Sequence, residues 1–294
     1  MNAIECRNLT HYYGKKLVYE NLSFNVEEGK ILGLLGKNGT GKSTTINILN
    51  GFLQPKEGVC LIYGENSQNL SPKTKMRIGF LIEGHIQYTF MNIHQIEKFY
   101  SNFYPKWNNT PYWELMSKLK VTPKQKISTM SCGQRSQVAL GLILAQDPDL
   151  LILDDFSMGL DPGYRRLFID YLREYAKAEN KTIFVTSHII QDMERLIDDV
   201  LIMDYNRILA QQSLDNFINK FRQFNITLKS HEAKFPITDL AMNIERVKDK
   251  VEFYTYKDEN EIKTFLKSAN VEYSSFVEKK MTLEDAFIGL TSKY

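Results

Sequence analysis

The chain lacks any apolar run approaching the eighteen or so residues that a membrane-crossing helix needs. The nearest, Val138 to Ala145, is stopped by Gln146-Asp147-Pro148. Cysteine is scarce: Cys6, Cys60 and Cys132 are scattered and odd in number, which excludes a disulfide framework or a cysteine-rich zinc site and fits a reducing compartment. An excess of charge is also missing, since 37 Lys+Arg against 35 Asp+Glu leave a formal net charge of +2. No block of five or six like charges occurs. That balance excludes the basic footprint of a general nucleic-acid binder, so no nucleic-acid partner is expected. The start, Met1-Asn2-Ala3-Ile4-Glu5-Cys6, has neither the basic opening nor the apolar stretch of a signal peptide, and the expectation is a cytoplasmic chain. Any work at a membrane would need a partner. What is present is an ordinary globular composition, 43% hydrophobic and 24% charged over 294 residues, enough for one large domain or two modest ones.

The first thirty residues read as strands, with Asn21 to Val26 alternating polar and apolar. After the turn Glu27-Glu28-Gly29-Lys30, Ile31 to Leu35 is a short run suited to a buried strand. A glycine-rich segment follows, then a helical pattern at Ile46, Ile48, Leu49 and Phe52. Strand and turn character returns over 56–83 and ends in Ile78-Gly79-Phe80-Leu81-Ile82. Residues 90–146 read mainly helical and are rich in aromatics. A second buried strand, Leu150 to Leu153, runs into Asp154-Asp155. A helix over about 163–178 and the strand Thr182 to Thr186 come next. Strands alternating with helices predict a mostly parallel α/β core. After about 214 the texture changes to a small α+β segment, with strands at Phe224–Leu228, Val251–Tyr256 and Val271–Tyr273 and a helix over Glu261–Ala269.

The segment Gly36-Lys37-Asn38-Gly39-Thr40-Gly41-Lys42-Ser43-Thr44 matches the phosphate-binding P-loop in full, between a buried strand and a helix where the mechanism needs it. Glycines let backbone N–H groups wrap phosphates, and the helix N-terminus adds partial positive charge. Lys42 would reach the β- and γ-phosphates and the Ser43 hydroxyl would ligate Mg²⁺. Asp154, at the end of a buried strand, would hold the Mg²⁺ shell. A guanine reader needs Asn-Lys-x-Asp, and the near match Asn180-Lys181-Thr182-Ile183 lacks the Asp, so ATP is the expected nucleotide.

Between the two halves lies Met130-Ser131-Cys132-Gly133-Gln134-Arg135. It resembles the Leu-Ser-Gly-Gly-Gln signature of the ATP-binding-cassette (ABC) family, with Met for Leu and Cys for the first Gly. The resemblance spans about residues 3–212. It implies a P-loop ATPase core with a mostly parallel sheet and flanking helices, an antiparallel β subdomain and a helical subdomain at about 84–146. The cassette would occupy 1–214 and a small α+β accessory domain 215–294. It also implies roles. Ser131, Gly133 and Gln134 would face the γ-phosphate held by another subunit. Tyr13 would stack on adenine, with Tyr12 as a rival. Leu160-Asp161 would belong to the loop that crosses the dimer interface. His188, after Val185-Thr186-Ser187, would be the switch histidine that contacts the γ-phosphate and the attacking water. The segment Thr282-Leu283-Glu284-Asp285-Ala286-Phe287 resembles the close of drug- and antibiotic-export subunits.

Two departures from the family pattern carry consequences. Asp155 stands where the family has a glutamate base, so one methylene of reach is lost. Either Asp155 still activates water, slowly until a partner closes the site, or the chain binds ATP and pairs with an active subunit. Glu83 stands where most members have a Gln that touches the Mg²⁺ shell. A Glu there resembles the subgroup that exports peptide antibiotics. The resemblance implies a homodimer or heterodimer with two ATP molecules between subunits, docked on separately encoded integral-membrane permease subunits at the inner face of the cell membrane. Tyr88, Phe90, Phe99 and Tyr100 are candidates either for the docking groove or for ordinary packing. A cassette ATPase acting on DNA or ribosomes fits less well, since only about 110 residues separate Lys42 from Asp154, without sustained heptads, and one cassette is present. A nucleotide sensor with little hydrolysis stays open through Asp155.

Overall fold

The computed structural model of the chain describes residues 1–81, 88–118, 122–157, 159–230, 235–236 and 240–292. The chain forms two compact units, Met1–Gln211 and Gln212–Tyr294, dividing three residues before the boundary expected from sequence texture.

The first unit opens with β1 (Asn2–Tyr13) and β2 (Lys16–Glu27), an antiparallel pair turned at Gly14. The alternation at 22–26 buries Leu22, Phe24 and Val26 and leaves their neighbours outward. β3 (Ile31–Gly36) is buried from Ile31 to Leu35 and runs through the glycine-rich loop into α1 (Lys42–Leu49). β4 (Glu57–Ile62), β5 (Glu65–Asn66), α2 (Pro72–Lys75) and β6 (Ile78–Leu81) follow. The helical region holds α3 (Ile93–Ser101), α4 (Thr110–Lys118) and α5 (Cys132–Ala145). Then come β7 (Leu150–Asp154), α6 (Pro162–Ala178), β8 (Thr182–Thr186), α7 (Ile190–Leu196), β9 (Asp199–Asp204) and β10 (Arg207–Ser213), within which the first unit ends.

These strands make two sheets. One is antiparallel, in the order β2-β1-β4-β5. The other runs β10-β9-β3-β8-β7-β6, and its β9, β3, β8, β7 and β6 are parallel. The parallel register sets Thr186 beside both Leu34 and Asp154, so the carboxyl ends of β8 and β7 finish level and that of β3 runs two residues further, to Gly36. In open α/β sheets that edge is where ligands bind. One apolar cluster joins the sheets, including Ile4, Phe24 and Ile62 from the antiparallel one and Leu34, Ile152 and Phe184 from the parallel one. The Phe24 and Phe184 rings stack 5.8 Å apart.

One local expectation is corrected. The helical pattern after the glycine-rich loop does not carry through Phe52: α1 ends at Leu49, Gly51 turns the chain at φ +70°, and Phe52 is 71% exposed. The apolar run Val138–Ala145 is the buried part of α5, and no helix among the described residues is long and apolar enough to cross a membrane.

The second unit holds α8 (Leu214–Lys220), β11 (Arg222–Leu228), β12 (Met242–Val247), β13 (Lys250–Thr255), α9 (Glu259–Ser268), β14 (Tyr273–Lys279) and α10 (Leu283–Thr291). Its sheet is antiparallel, in the order β12-β13-β11-β14. Ile262 and Leu266 of α9 share a core with Phe224, Ile226, Leu228, Val251 and Phe253. The strand expected at 271–273 begins only at Tyr273, because Val271 closes α9 by donating its N–H to the Leu266 carbonyl. The segment Thr282–Phe287 opens α10 with a reciprocal cap between Thr282 and Asp285.

Candidate functional site

A cavity of about 270 Å³ sits where β3 meets α1, lined by Tyr13, Lys16, Val18, Asn38, Gly39, Gly41, Lys42, Ser43, Thr44, Asp154, Asp155 and His188. The backbone builds its floor. Gly39 at φ +82° and Gly41 at φ +101° take left-handed conformations that L side chains rarely adopt. Gly41 is also crowded, since a Cβ there would sit 2.7 Å from the Tyr19 ring and 2.8 Å from Val18. Thr40 is buried and braces the loop by donating its hydroxyl to the Lys37 carbonyl at 2.9 Å. α1 begins without a side-chain cap and without an acidic residue in its first turn. Its first N–H groups and the positive end of its dipole are therefore offered to an anion.

Lys42 folds over this loop, donating from Nζ to the Gly36 carbonyl at 2.6 Å and the Lys37 carbonyl at 3.1 Å. Burial pulls its ammonium below the usual lysine range, while the charges of Asp155 and Asp154 oppose that shift. Phosphate oxygens would replace these carbonyl partners with a charge-assisted contact. Ser43 is exposed at the same mouth and Thr44 is buried behind it. The Tyr13 hydroxyl reaches the Thr44 hydroxyl at 3.4 Å, and Tyr13, 52% exposed, makes a T-shaped ring contact with His11, centroids 5.0 Å apart. Tyr12 does not line the cavity.

Asp154 is 9% exposed and accepts a hydrogen bond from the Thr186 hydroxyl at 2.5 Å. Asp155 has φ +46°, uncommon for a residue with a side chain. Its Oδ1 accepts the His188 backbone N–H at 3.0 Å and its Oδ2 lies 2.8 Å from His188 Nε2. The carboxylate is thus clasped from two sides by one residue.

Ser131, Gly133, Gln134 and Asp161 do not line this cavity. Ser131 caps α5: its hydroxyl accepts the Gln134 N–H at 3.2 Å, and the Gln134 side chain accepts the Ser131 N–H at 3.1 Å. Gly133 packs so closely on the loop before α6 that a Cβ would sit 2.6 Å from the Gly159 carbonyl oxygen. Asp161 starts α6 from an exposed position with no side-chain cap bond. Gly133 of the signature segment and Gly159 of the loop before Asp161 are therefore neighbours, off the lining of the cavity. Glu83 lies outside the described residues. Three residues join the site without having been expected there. Lys16 and Val18 carry no motif, and the only signal for Thr186 was its place at the end of a predicted strand.

A protein-family model described as ABC transporter matches residues 19–157. Over its whole length the chain is similar to the Nod factor export ATP-binding protein I of Cupriavidus metallidurans, 28% identical across 100% of this chain and 99% of the relative. It is 30% identical to the bacitracin transport ATP-binding protein BcrA of Bacillus licheniformis, across 75% of this chain and 73% of the relative. Among solved structures, it resembles a bacterial ABC transporter cassette described as dimeric, at a TM-score of 0.62 and 20% identity, covering 72% of this chain and 98% of that one.

Proposed function

The chain belongs to the ABC transporter family of ATP-binding proteins, and from that premise we propose that two such subunits close around two ATP molecules to drive an exporter. The observation that carries this reading is that the two sets of motif residues do not share one cavity. The glycine-rich loop, Asp154, Asp155 and His188 share one cavity, while Ser131 and Asp161 lie off its lining. In this reading the exposed Ser131, the cap of α5, would meet a phosphate held by a second subunit, which supplies the complement. Closure is then a population shift, because the γ-phosphate makes its extra contacts only in the closed state.

Within each site, Lys42 and the N–H groups of the loop and α1 would hold the phosphates, and Tyr13 would stack on adenine. Among the described residues no cluster of three or more His, Cys, Asp or Glu could hold a metal ion. The donors here are one hydroxyl, Ser43, and one carboxylate, Asp154. That set fits Mg²⁺, which is commonly held by one or two carboxylates together with substrate phosphates. The bound ion would neutralise phosphate charge. Glu83 remains a further candidate for its shell. Asp155 would orient and deprotonate the attacking water, with His188 positioning its carboxylate. Its shorter reach supports slow turnover until the partner subunit closes the site.

The direction of transport is supported by the relative named for Nod factor export. Separately encoded membrane permeases would carry the cargo path and hold this chain at the inner face of the cell membrane. For docking, the helical region offers a run of aromatic contacts. Tyr88 meets Phe90 and Phe99 at centroid distances of 6.0 and 5.1 Å, and Phe99 meets Phe103 at 5.1 Å. Phe90 and Phe103 are 70% and 63% exposed. The second unit would be an accessory domain.

The test is ATP-dependent association. An Asp155→Asn chain, expected to keep ATP binding and to hydrolyse it far more slowly, should shift from monomer to dimer on gel filtration when ATP and Mg²⁺ are added. A chain that binds ATP and stays monomeric at all concentrations would refute homodimer closure.

A further inference from the structure

We propose that Thr186 is a positioning residue that aims the Asp154 carboxylate at the Mg²⁺ carried in with ATP. The inference rests on the nucleotide reading above and assigns a role to a residue outside its motifs. Thr186 ends β8 in parallel register with Asp154 on one side and Leu34 on the other. Its side chain is almost fully enclosed, at 1% exposure. A hydroxyl has one proton to give and lone pairs to accept with. Here the proton goes to Asp154 Oδ1 at 2.5 Å, and a lone pair accepts the backbone N–H of Asp155 at 3.3 Å. That N–H also lies 3.2 Å from the Thr186 carbonyl oxygen.

The consequence for Asp154 is geometric. With Oδ1 pinned, the carboxylate cannot rotate freely, and Oδ2 is the oxygen left for a metal-bound water. For Asp155, Thr186 holds the backbone N–H of a residue at φ +46° while His188 holds both carboxylate oxygens. One hydroxyl therefore ties the metal-side carboxylate to the backbone N–H of the neighbouring aspartate. Packing alone does not call for it. The preceding Ile183-Phe184-Val185 is wholly apolar and buried, and valine would fill the same volume with an equal preference for strand.

The test uses the full-length chain with Thr186→Val, Thr186→Ala and Thr186→Ser, and reads binding of a fluorescent ATP analogue, first in EDTA and then along a Mg²⁺ titration. Groups that orient metal ligands typically change metal affinity ten- to a hundredfold. The Val and Ala chains should therefore need at least about tenfold more Mg²⁺ for half-saturation, with binding in EDTA within about twofold of wild type. The Ser chain, which keeps the hydroxyl, should recover to within about threefold of wild type. If Thr186→Val does not fold, the comparison of Ala with Ser decides. Equal Mg²⁺ titrations for Ala, Val and wild type, or a Ser chain as impaired as Ala, overturn the proposal. A wild-type chain that binds the analogue in neither condition overturns the nucleotide reading itself, and Thr186's role with it.

Discussion

Gly41→Ala separates two costs that the glycine-rich loop avoids. At Gly41 the backbone has φ +101°, and an added Cβ would lie 2.7 and 2.8 Å from carbons of the Tyr19 ring and 2.8 Å from Val18. Tyr19 is fully enclosed in the core, so the ring has little room to yield. At Gly39 the backbone is also left-handed, φ +82°, but nothing lies within 4 Å of where a Cβ would stand. The left-handed conformation costs an L residue about 1–2 kcal/mol. Overpacking a filled core adds about 1–3 kcal/mol. Gly39→Ala should therefore lose about 1–2 kcal/mol of stability, and Gly41→Ala about 2–5 kcal/mol, both by urea unfolding followed on the first unit's signal. The ATP affinity of Gly41→Ala should fall further, because relieving the clash moves the start of α1 away from β2. If Gly41→Ala costs no more than Gly39→Ala, the close approach of the loop to Tyr19 is not what requires glycine there.

Three further outcomes follow from the same geometry. Of the three cysteines, only Cys132 is exposed, and burial holds the Cys6 thiol well above its ordinary range. An aromatic disulfide reagent should thus titrate one thiol in the native chain and three after denaturation; more than one fast thiol would contradict the packing of β1 on β4. Tyr13→Ala should weaken ATP binding by about 1–3 kcal/mol, the usual worth of a base stacked on an aromatic ring, while unchanged affinity would move the adenine elsewhere. Ser131→Ala should cost about 1 kcal/mol through the lost cap of α5, read as a lower urea midpoint; no change would mean the reciprocal cap with Gln134 does not stabilise the helix.

The parallel core was legible because its strands are short apolar runs bounded by turn chemistry. Ile31 to Leu35, Leu150 to Leu153 and Thr182 to Thr186 emerge as β3, β7 and β8 with little change of bounds. The cavity was legible because a glycine-rich loop between strand and helix leaves few other folds. Legibility failed where tertiary contacts decide. Phe52 continues the helical pattern, yet Gly51 ends the turn beside the Ser67 carbonyl and the ring is left outside. β12 has no fully buried residue, so it carries no alternating signal. The exposed Ser131 is expected from the family resemblance to face a phosphate, and within one chain its hydroxyl caps α5 instead. Thr186 had a visible position but no motif, and only the sheet register brings it to Asp154.

Single-turnover hydrolysis tests the central claim most directly. Wild-type, Asp155→Asn and Asp155→Glu chains, each saturated with ATP and Mg²⁺, would be compared for the rate of the first phosphate released. If Asp155 activates water from its clasp with His188, the Asn chain should hydrolyse at least about a hundredfold more slowly, a barrier increase of about 2.7 kcal/mol. The Glu chain, with its longer reach, should equal or exceed wild type. An Asn chain as fast as wild type would contradict the account, removing Asp155 from the chemistry of the site.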